Sequence, residues 1–169
     1  MNAIKLLTTQ HRQVEAFFKK YKASDDNNEK LDIFTELADN IAAHSTIEEK
    51  LFYPAVYVGK LSELLHEAVE EHLAAKRIIA DLLQLSPSHE EYDAKMKVLE
   101  EQIEHHEEEE EEKLLPKVEQ TLKAPELEAL GQKMEHLFET LMKQDPRQDV
   151  PQETDEAAPL PQEARFVKT

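Results

Sequence analysis

Two stretches of this chain repeat one pattern of ligand-forming side chains. The first reads Ala43-His44-Ser45-Thr46-Ile47-Glu48-Glu49-Lys50-Leu51-Phe52-Tyr53-Pro54. The second reads His105-His106-Glu107-Glu108-Glu109-Glu110-Glu111-Glu112-Lys113-Leu114-Leu115-Pro116. Aligned on their prolines, His44 falls on His106, Glu48 on Glu110 and Glu49 on Glu111. Each copy is His-x-x-x-Glu, and on a helix residues four apart share a face, roughly 6 Å from one another. An imidazole and a carboxylate aimed at one point suit a divalent cation. The repeat extends upstream, because His11 precedes His44 by 33 residues and His72 precedes His106 by 34. Four histidines and two glutamates thus fall into two matched halves, each long enough for two helices.

The apolar periodicity supplies the elements that must position them. Ile4, Leu7, His11, Val14 and Phe18 step by three and four, predicting a helix over residues 3–23 that ends at Ser24-Asp25-Asp26-Asn27-Asn28. A second helix is predicted from about Glu29 to Val58, with Ile33, Leu37, Ile41, His44, Glu48, Leu51 and Ala55 on its buried stripe and Gly59 as its stop. Pro54 lies inside it and predicts a kink or a break. The third helix, Leu61 to Leu85, buries Leu65, Ala68, His72, Ala75, Ile79 and Leu82. The fourth, from about His89 to Leu122, buries Met96, Leu99, Ile103, His106, Glu110 and Leu114, with Pro116 in the role of Pro54. Ala124-Pro125 opens a fifth helix to about Lys143, on which Leu127, Leu130, Met134, Leu137 and Leu141 are apolar. From Asp145 onward the chain has four prolines, many charges and no periodicity, which reads as a disordered tail.

The fold expected is therefore all-α: an antiparallel up-down-up-down four-helix bundle with an extra C-terminal helix and a disordered tail. The expected divisions are 1–122, 123–143 and an acidic, proline-containing 144–169. All four histidines lie on the stripes that face the bundle axis. Buried without a partner, each carboxylate among them costs several kcal/mol, and neither copy offers a Lys or Arg at the matched positions. A pair of divalent cations supplies the missing charge.

Composition narrows the function further. The net charge of −17 repels nucleic acid and anionic lipid, so neither is expected as a partner. The absence of cysteine removes disulfides, thiolate nucleophiles and Cys-based metal sites. No apolar stretch approaches the ~20 residues that span a bilayer. The N-terminus shows no cleavable apolar leader, so a cytoplasmic location is expected.

His11, His44-x-x-x-Glu48-Glu49-x-Leu51-x-Tyr53-Pro54, Glu71-His72 and His105-His106-x-x-x-Glu110-Glu111-x-x-Leu114-x-Pro116 resemble the hemerythrin-like (HHE cation-binding) family over about residues 1–122. The resemblance implies a four-helix bundle holding a non-haem di-iron centre that meets O₂ or related small oxidants. Carried over residue by residue, it implies His11, His44, Glu48, His72, His106 and Glu110 as ligands, with Glu48 and Glu110 bridging two iron ions. The donor set also suits manganese or zinc. The family's oxygen carriers place a further histidine four residues from the first on the third helix. Here those positions are Ala68 and Lys76. That departure weakens reversible O₂ carriage and gives weight to sensing or oxidation chemistry.

Three functions follow. One is binding or sensing of O₂, NO or peroxide, with any output passing to a protein partner through the fifth helix or the tail. The second is a catalase-like or ferroxidase enzyme. The third is an iron-buffering or structural metal protein. His105 is an alternative to His106, but about 140° of rotation separates it from Glu110, against about 40° for His106. His66, His89 and His136 read as surface residues. Glu49 and Glu111 are either acceptors for a ligand N–H or part of a solvated face. Glu107, Glu108, Glu109 and Glu112 are expected to face solvent. Lys76 either gives a proton to a bound oxidant or turns out to water.

Overall fold

The computed structural model describes residues 1–159. Helix α1 spans Ala3–Ala23, and its N-cap Asn2 accepts from the Lys5 N–H at 2.8 Å. Helix α2 spans Asn27–Ile47, and its N-cap Asp26 accepts from the Asn28 N–H at 3.0 Å. It continues through a π-turn, Glu48–Phe52, into α3, Tyr53–Val56. A short 3₁₀ turn, Gly59–Leu61, leads into α4, Ser62–Leu82. Helix α5, Tyr92–Glu109, continues through a second π-turn, Glu110–Leu114, into α6, Leu115–Thr121. Short connections make successive segments antiparallel, with α1 packed on α2 and α4 on α5. The architecture is thus the all-α, up-down-up-down bundle the periodicity predicts. Helix α7, Ala124–Met142, is the extra element and lies against α1 and α2. No helix among the described residues is long and apolar enough to cross a membrane.

The prolines account for the π-turns. A proline has no N–H, and its ring collides with the carbonyl four residues back. Here the residue before each proline bonds five residues back instead: Tyr53 N–H to the Glu48 carbonyl, and Leu115 N–H to the Glu110 carbonyl. The widened turn absorbs the ring, so the expected kink or break is a one-turn bulge in a continuous helix. Both bulges begin at the repeat-related glutamates, which re-aims the carboxylates relative to a regular helix.

Packing divides the apolar core in two. Leu7, Ile47, Phe52, Leu65, Leu73, Leu114 and Val118 belong to one cluster. Val14, Phe18, Phe34, Leu37, Ile79, Met96, Leu99 and Ile103 belong to the other. The repeat histidines and glutamates lie on the same helices between these clusters. Helix α7 extends the first cluster with Leu127 and Met134. It reaches α1 because residue 131 is glycine: a Cβ there would stand 2.1 Å from the Met1 carbonyl oxygen and 2.7 Å from the Ala3 nitrogen.

The segment after α7 departs from the structureless tail expected from Asp145. Asp145 takes a left-handed conformation (φ 49°) and turns the chain back toward the bundle. Pro146–Asp149 form a 3₁₀ turn and Val150–Glu153 a helical turn, α8. Arg147 donates to Asp39 through its backbone N–H at 3.0 Å and through Nη1 at 2.8 Å. Val150 is fully buried in the second cluster, and Glu153 pairs with Lys76 at 2.9 Å. Prolines here start helical turns, where the missing N–H costs nothing. The remainder of the expected tail, residues 160–169, lies outside the described residues.

Candidate metal centre

The six repeat-related residues meet in one buried layer. His11 comes from α1, His44 from α2, His72 from α4 and His106 from α5, while Glu48 and Glu110 open the two π-turns. Glu48 is 0% exposed and Glu110 3%. The ligand atoms fall into two overlapping groups: His11, His44, Glu48 and Glu110, and Glu48, His72 and His106. Glu48 Oε1 stands 3.2 Å from His44 Nε2, 3.1 Å from His72 Nε2 and 3.9 Å from His106 Nε2. Glu110 stands 3.4 Å from His11 Nε2 through Oε1 and 3.4 Å from His106 Nε2 through Oε2. His72 Nε2 and His106 Nε2 are 3.1 Å apart. His105 points outward and is 62% exposed. His66, His89 and His136 are exposed as well.

Every histidine of the layer is held from behind through Nδ1. His11 donates to Glu111 at 2.8 Å, and His72 to Glu49 at 2.6 Å. His44 donates to Gln10 Oε1 at 2.6 Å, and His106 to Glu71 at 3.0 Å. A carboxylate or amide oxygen can only accept, so each Nδ1 carries the proton and each Nε2 faces inward. Outer acceptors of this kind orient metal-binding imidazoles and raise their basicity. Glu49 and Glu111 are therefore acceptors, not part of a solvated face. The sequence reading missed Gln10 and Glu71 in this role, although each directly precedes the first histidine of its half, a repeat signal in plain view.

The outer cations follow the same plan. Arg12 bonds Glu111 beside His11. Lys76, itself buried, stands 3.3 Å from Glu49 beside His72 and bonds Glu153. Lys76 thus neither reaches the inner carboxylates nor turns to open water. Burial alone would raise the Glu49 pKa, but His72 and Lys76 outweigh it and lower it.

Electrostatics sets the condition of the layer without a cation. Burial disfavours a charged His11, yet Glu110 and its neighbouring carboxylates push its pKa up to about 9. Despite burial, Glu110, Glu48 and Glu71 hold His106 well above the usual range, and Glu48 and Glu49 raise His72. Despite complete burial, His44 and its neighbours keep Glu48 well below the usual carboxylate range. Protons on imidazole thus supply the charge the carboxylates demand. The fit to cations rests on atoms that find no partner even so. His11 Nε2, His44 Nε2, both Glu48 oxygens and Glu110 Oε1 lack a hydrogen bond among the described residues. Inward Nε2 atoms, two inward carboxylates and outward-tied Nδ1 atoms suit divalent cations, which would take the place of the imidazole protons.

Two further groups border the layer. Tyr53, fully buried, donates to Glu110 Oε2 at 2.9 Å and lies 3.3 Å from His72 Nε2. The other is Glu107, which faces inward and not toward solvent as expected. It is 5% exposed, and its Oε2 lacks a hydrogen bond among the described residues. Burial pushes its pKa up to about 8, against the opposing pull of His11. Glu107 and all four histidines line a cavity of about 20 Å³, closed otherwise mainly by Val14, Ile41, Ala75 and Ile103. Since about 10–15 Å³ on this scale holds one water, the cavity admits a small molecule and no organic substrate.

Comparison with known proteins places the chain in a family and beside a solved fold. The family model "Hemerythrin HHE cation binding domain" matches residues 2–118. A crystal structure of a hemerythrin HHE cation-binding domain-containing protein from Mycobacterium kansasii is 26% identical, with a TM-score of 0.75. The match covers 85% of this chain and 89% of that one. No curated protein matches the sequence significantly.

Proposed function

This chain belongs to the hemerythrin HHE cation-binding domain family, and from that premise we propose that it holds two iron ions in the buried layer and binds or senses O₂, NO or peroxide there. His11 and His44 would hold one ion, His72 and His106 the other, with Glu48 and Glu110 shared. The observation that carries this reading is the inward convergence of four Nε2 atoms on two carboxylates, of which both Glu48 oxygens and Glu110 Oε1 have no hydrogen bond among the described residues. When bound, such a pair supplies Lewis acidity, one-electron reducing power and open positions for a small ligand. The chain's own residues do the rest. Gln10, Glu49, Glu71 and Glu111 keep the four rings oriented. Val14, Ile41, Ala75 and Ile103 exclude bulk water from the cavity, and its volume selects diatomic-sized ligands.

One observation favours a second reading, a peroxide-consuming or ferroxidase-type oxidation. Glu107, a buried carboxylate whose pKa burial raises before any cation binds, lines the cavity, and reduction of O₂ or peroxide consumes protons. The test begins with the metal content of protein purified from iron-supplied cells. About two ions per chain are expected, and Glu48→Ala or Glu110→Ala should release one or both. Spectra of the ferrous protein after addition of O₂, NO or H₂O₂ then separate the readings. A lasting charge-transfer band supports binding or sensing, and gas evolution supports the enzyme. Full metal content in both glutamate variants overturns the site.

A further inference from the structure

The geometry points to a second, surface-exposed divalent-cation site, built from Glu71, His105 and Glu109, from which ions pass to the buried layer. It rests, for its loading role only, on the reading that the layer holds metal. The sequence carries the pattern twice in one run: His105-x-x-x-Glu109 repeats His106-x-x-x-Glu110 one residue earlier. One residue is about 100° of helical rotation, so the first pair opens to solvent while the second faces the axis. Glu71 completes the outer set from α4. Its Oε2 lies 3.4 Å from His105 Nε2, which lies 3.8 Å from Glu109 Oε1. All three ligand atoms stand within 4.8 Å of one another. An imidazole and two carboxylates suit a first-row divalent ion.

The placement of Glu71 ties this site to the interior. Its Oε1 accepts from His106 Nδ1 at 3.0 Å while its Oε2 faces His105, so one carboxylate touches both sites. Being held by His106, it is already oriented, and a cation need not order it. The outer residues border a groove of about 540 Å³ that also includes His66. A second, much smaller space of about 10 Å³ shares Glu71 and Glu109 with the groove and is lined further in by Ala68, His106, Glu110, Leu64 and Leu114. A hydrated ion does not fit that space, so passage requires it to shed water, and the carboxylates of Glu109, Glu71 and Glu110 replace that water in turn.

The other space beside the layer differs in its lining. Besides the four histidines, Ser45, Glu71 and Glu107, it is walled by Val14, Ile41, Ala75 and Ile103. Its aliphatic share favours an uncharged molecule, whereas Glu109, Glu71 and Glu110 mark the approach of a cation. One competitor must yield. Lys113 pairs with Glu109 Oε1 at 3.4 Å, but that pair lies in solvent, where water and salt screen it, so a divalent ion displaces it.

Co²⁺ binding to the metal-free full-length protein tests this. Stoichiometry is read by equilibrium dialysis, and filling of the inner ligand field by stopped-flow absorption. Wild type should bind a third, weaker ion beyond the inner pair. His105→Ala, at an exposed position that should not disturb folding, should weaken that ion at least about tenfold. It should also slow inner filling while leaving final inner occupancy unchanged. Glu109→Gln should do the same, and His136→Ala should do neither. The proposal is overturned if the inner pair fills in wild type with no third ion, or if His105→Ala changes neither the third ion nor the filling rate. Failure of the buried-metal reading has a different signature: one ion that depends on His105, and none that depends on Glu48.

Discussion

Replacing Glu107 with glutamine should change how the stability of the metal-free protein depends on pH. In the folded chain burial raises the Glu107 pKa from 4.5 to about 8. Between those values the folded state keeps a proton that the unfolded chain releases. The folded state then binds more protons than the unfolded state, so stability falls as pH rises through that window. Each pH unit there costs about 1.4 kcal/mol. Glutamine has nearly the same shape and nothing to ionise, so the variant escapes this loss. The stability advantage of Glu107→Gln should therefore grow by roughly 3 kcal/mol between about pH 5.5 and about pH 7.5. His11, raised to about 9, also loses stabilising charge as pH rises. It does so in both proteins, burial aside chiefly through Glu110 with a smaller pull from Glu107, so the difference between the proteins reports mainly on Glu107. Urea unfolding followed by circular dichroism, with a chelator present, measures it. A difference that stays flat across the window would refute the reasoning and return Glu107 to an ordinary solvated carboxylate.

Glu49→Ala and Glu111→Ala should each weaken cation binding by about 10–100-fold in competition with a chromophoric chelator, because His72 and His11 lose their Nδ1 acceptors. Glu49→Ala should also lower the thermal midpoint, since among the described residues buried Lys76 then keeps only Glu153. Gly131→Ala should cost about 1–3 kcal/mol in chemical unfolding, because its Cβ meets backbone atoms of Met1 and Ala3 that must shift as a unit. An unchanged midpoint would mean that α1 starts elsewhere. Val150→Ala should cost about 1–3 kcal/mol, and Arg147→Ala a smaller amount, if the turn after α7 holds the bundle as described. Equal stability of these variants and wild type in urea would count against that packing.

Local information explains what could be read in advance. His44 and Glu48 share a helix face because they are four apart, and His11 and His72 lie on apolar stripes that have to turn inward. Their convergence follows from periodicity and repetition alone. What was not legible depends on neighbours distant in sequence. Glu107 looks like one more charge in a run of six glutamates. Only the arrival of α1 beside α5 closes solvent off from it. Lys76 sits one turn beyond His72, and its orientation is set by Glu49 and Glu153, neither on its own helix. The turn at Pro146–Glu153 has no periodic stripe, because a single valine and two ion pairs hold it, with partners on α2 and α4. Pro54 and Pro116 announced irregular helix, but their form as π-turns depends on the bundle holding both flanks in register.

The outer acceptors also show how the two halves depend on each other. His44 and His106 are tied within their own halves, to Gln10 and Glu71. His11 and His72 are tied across halves, to Glu111 and Glu49. Neither half can orient its own pair of rings, so a single repeat would lack half of its outer contacts as well as half of its ligands. The halves are nonetheless unequal. Gln10 offers His44 a neutral amide where Glu71 offers His106 a carboxylate, and a carboxylate makes the imidazole the stronger donor. Tyr53 bonds Glu110, whereas its repeat counterpart is Leu115, which has nothing to donate to Glu48. Both differences fall on the side of His72 and His106, so cations held here would meet unequal donor sets, with the carboxylate-tied His106 and the hydrogen-bonded Glu110 on one side and the amide-tied His44 on the other.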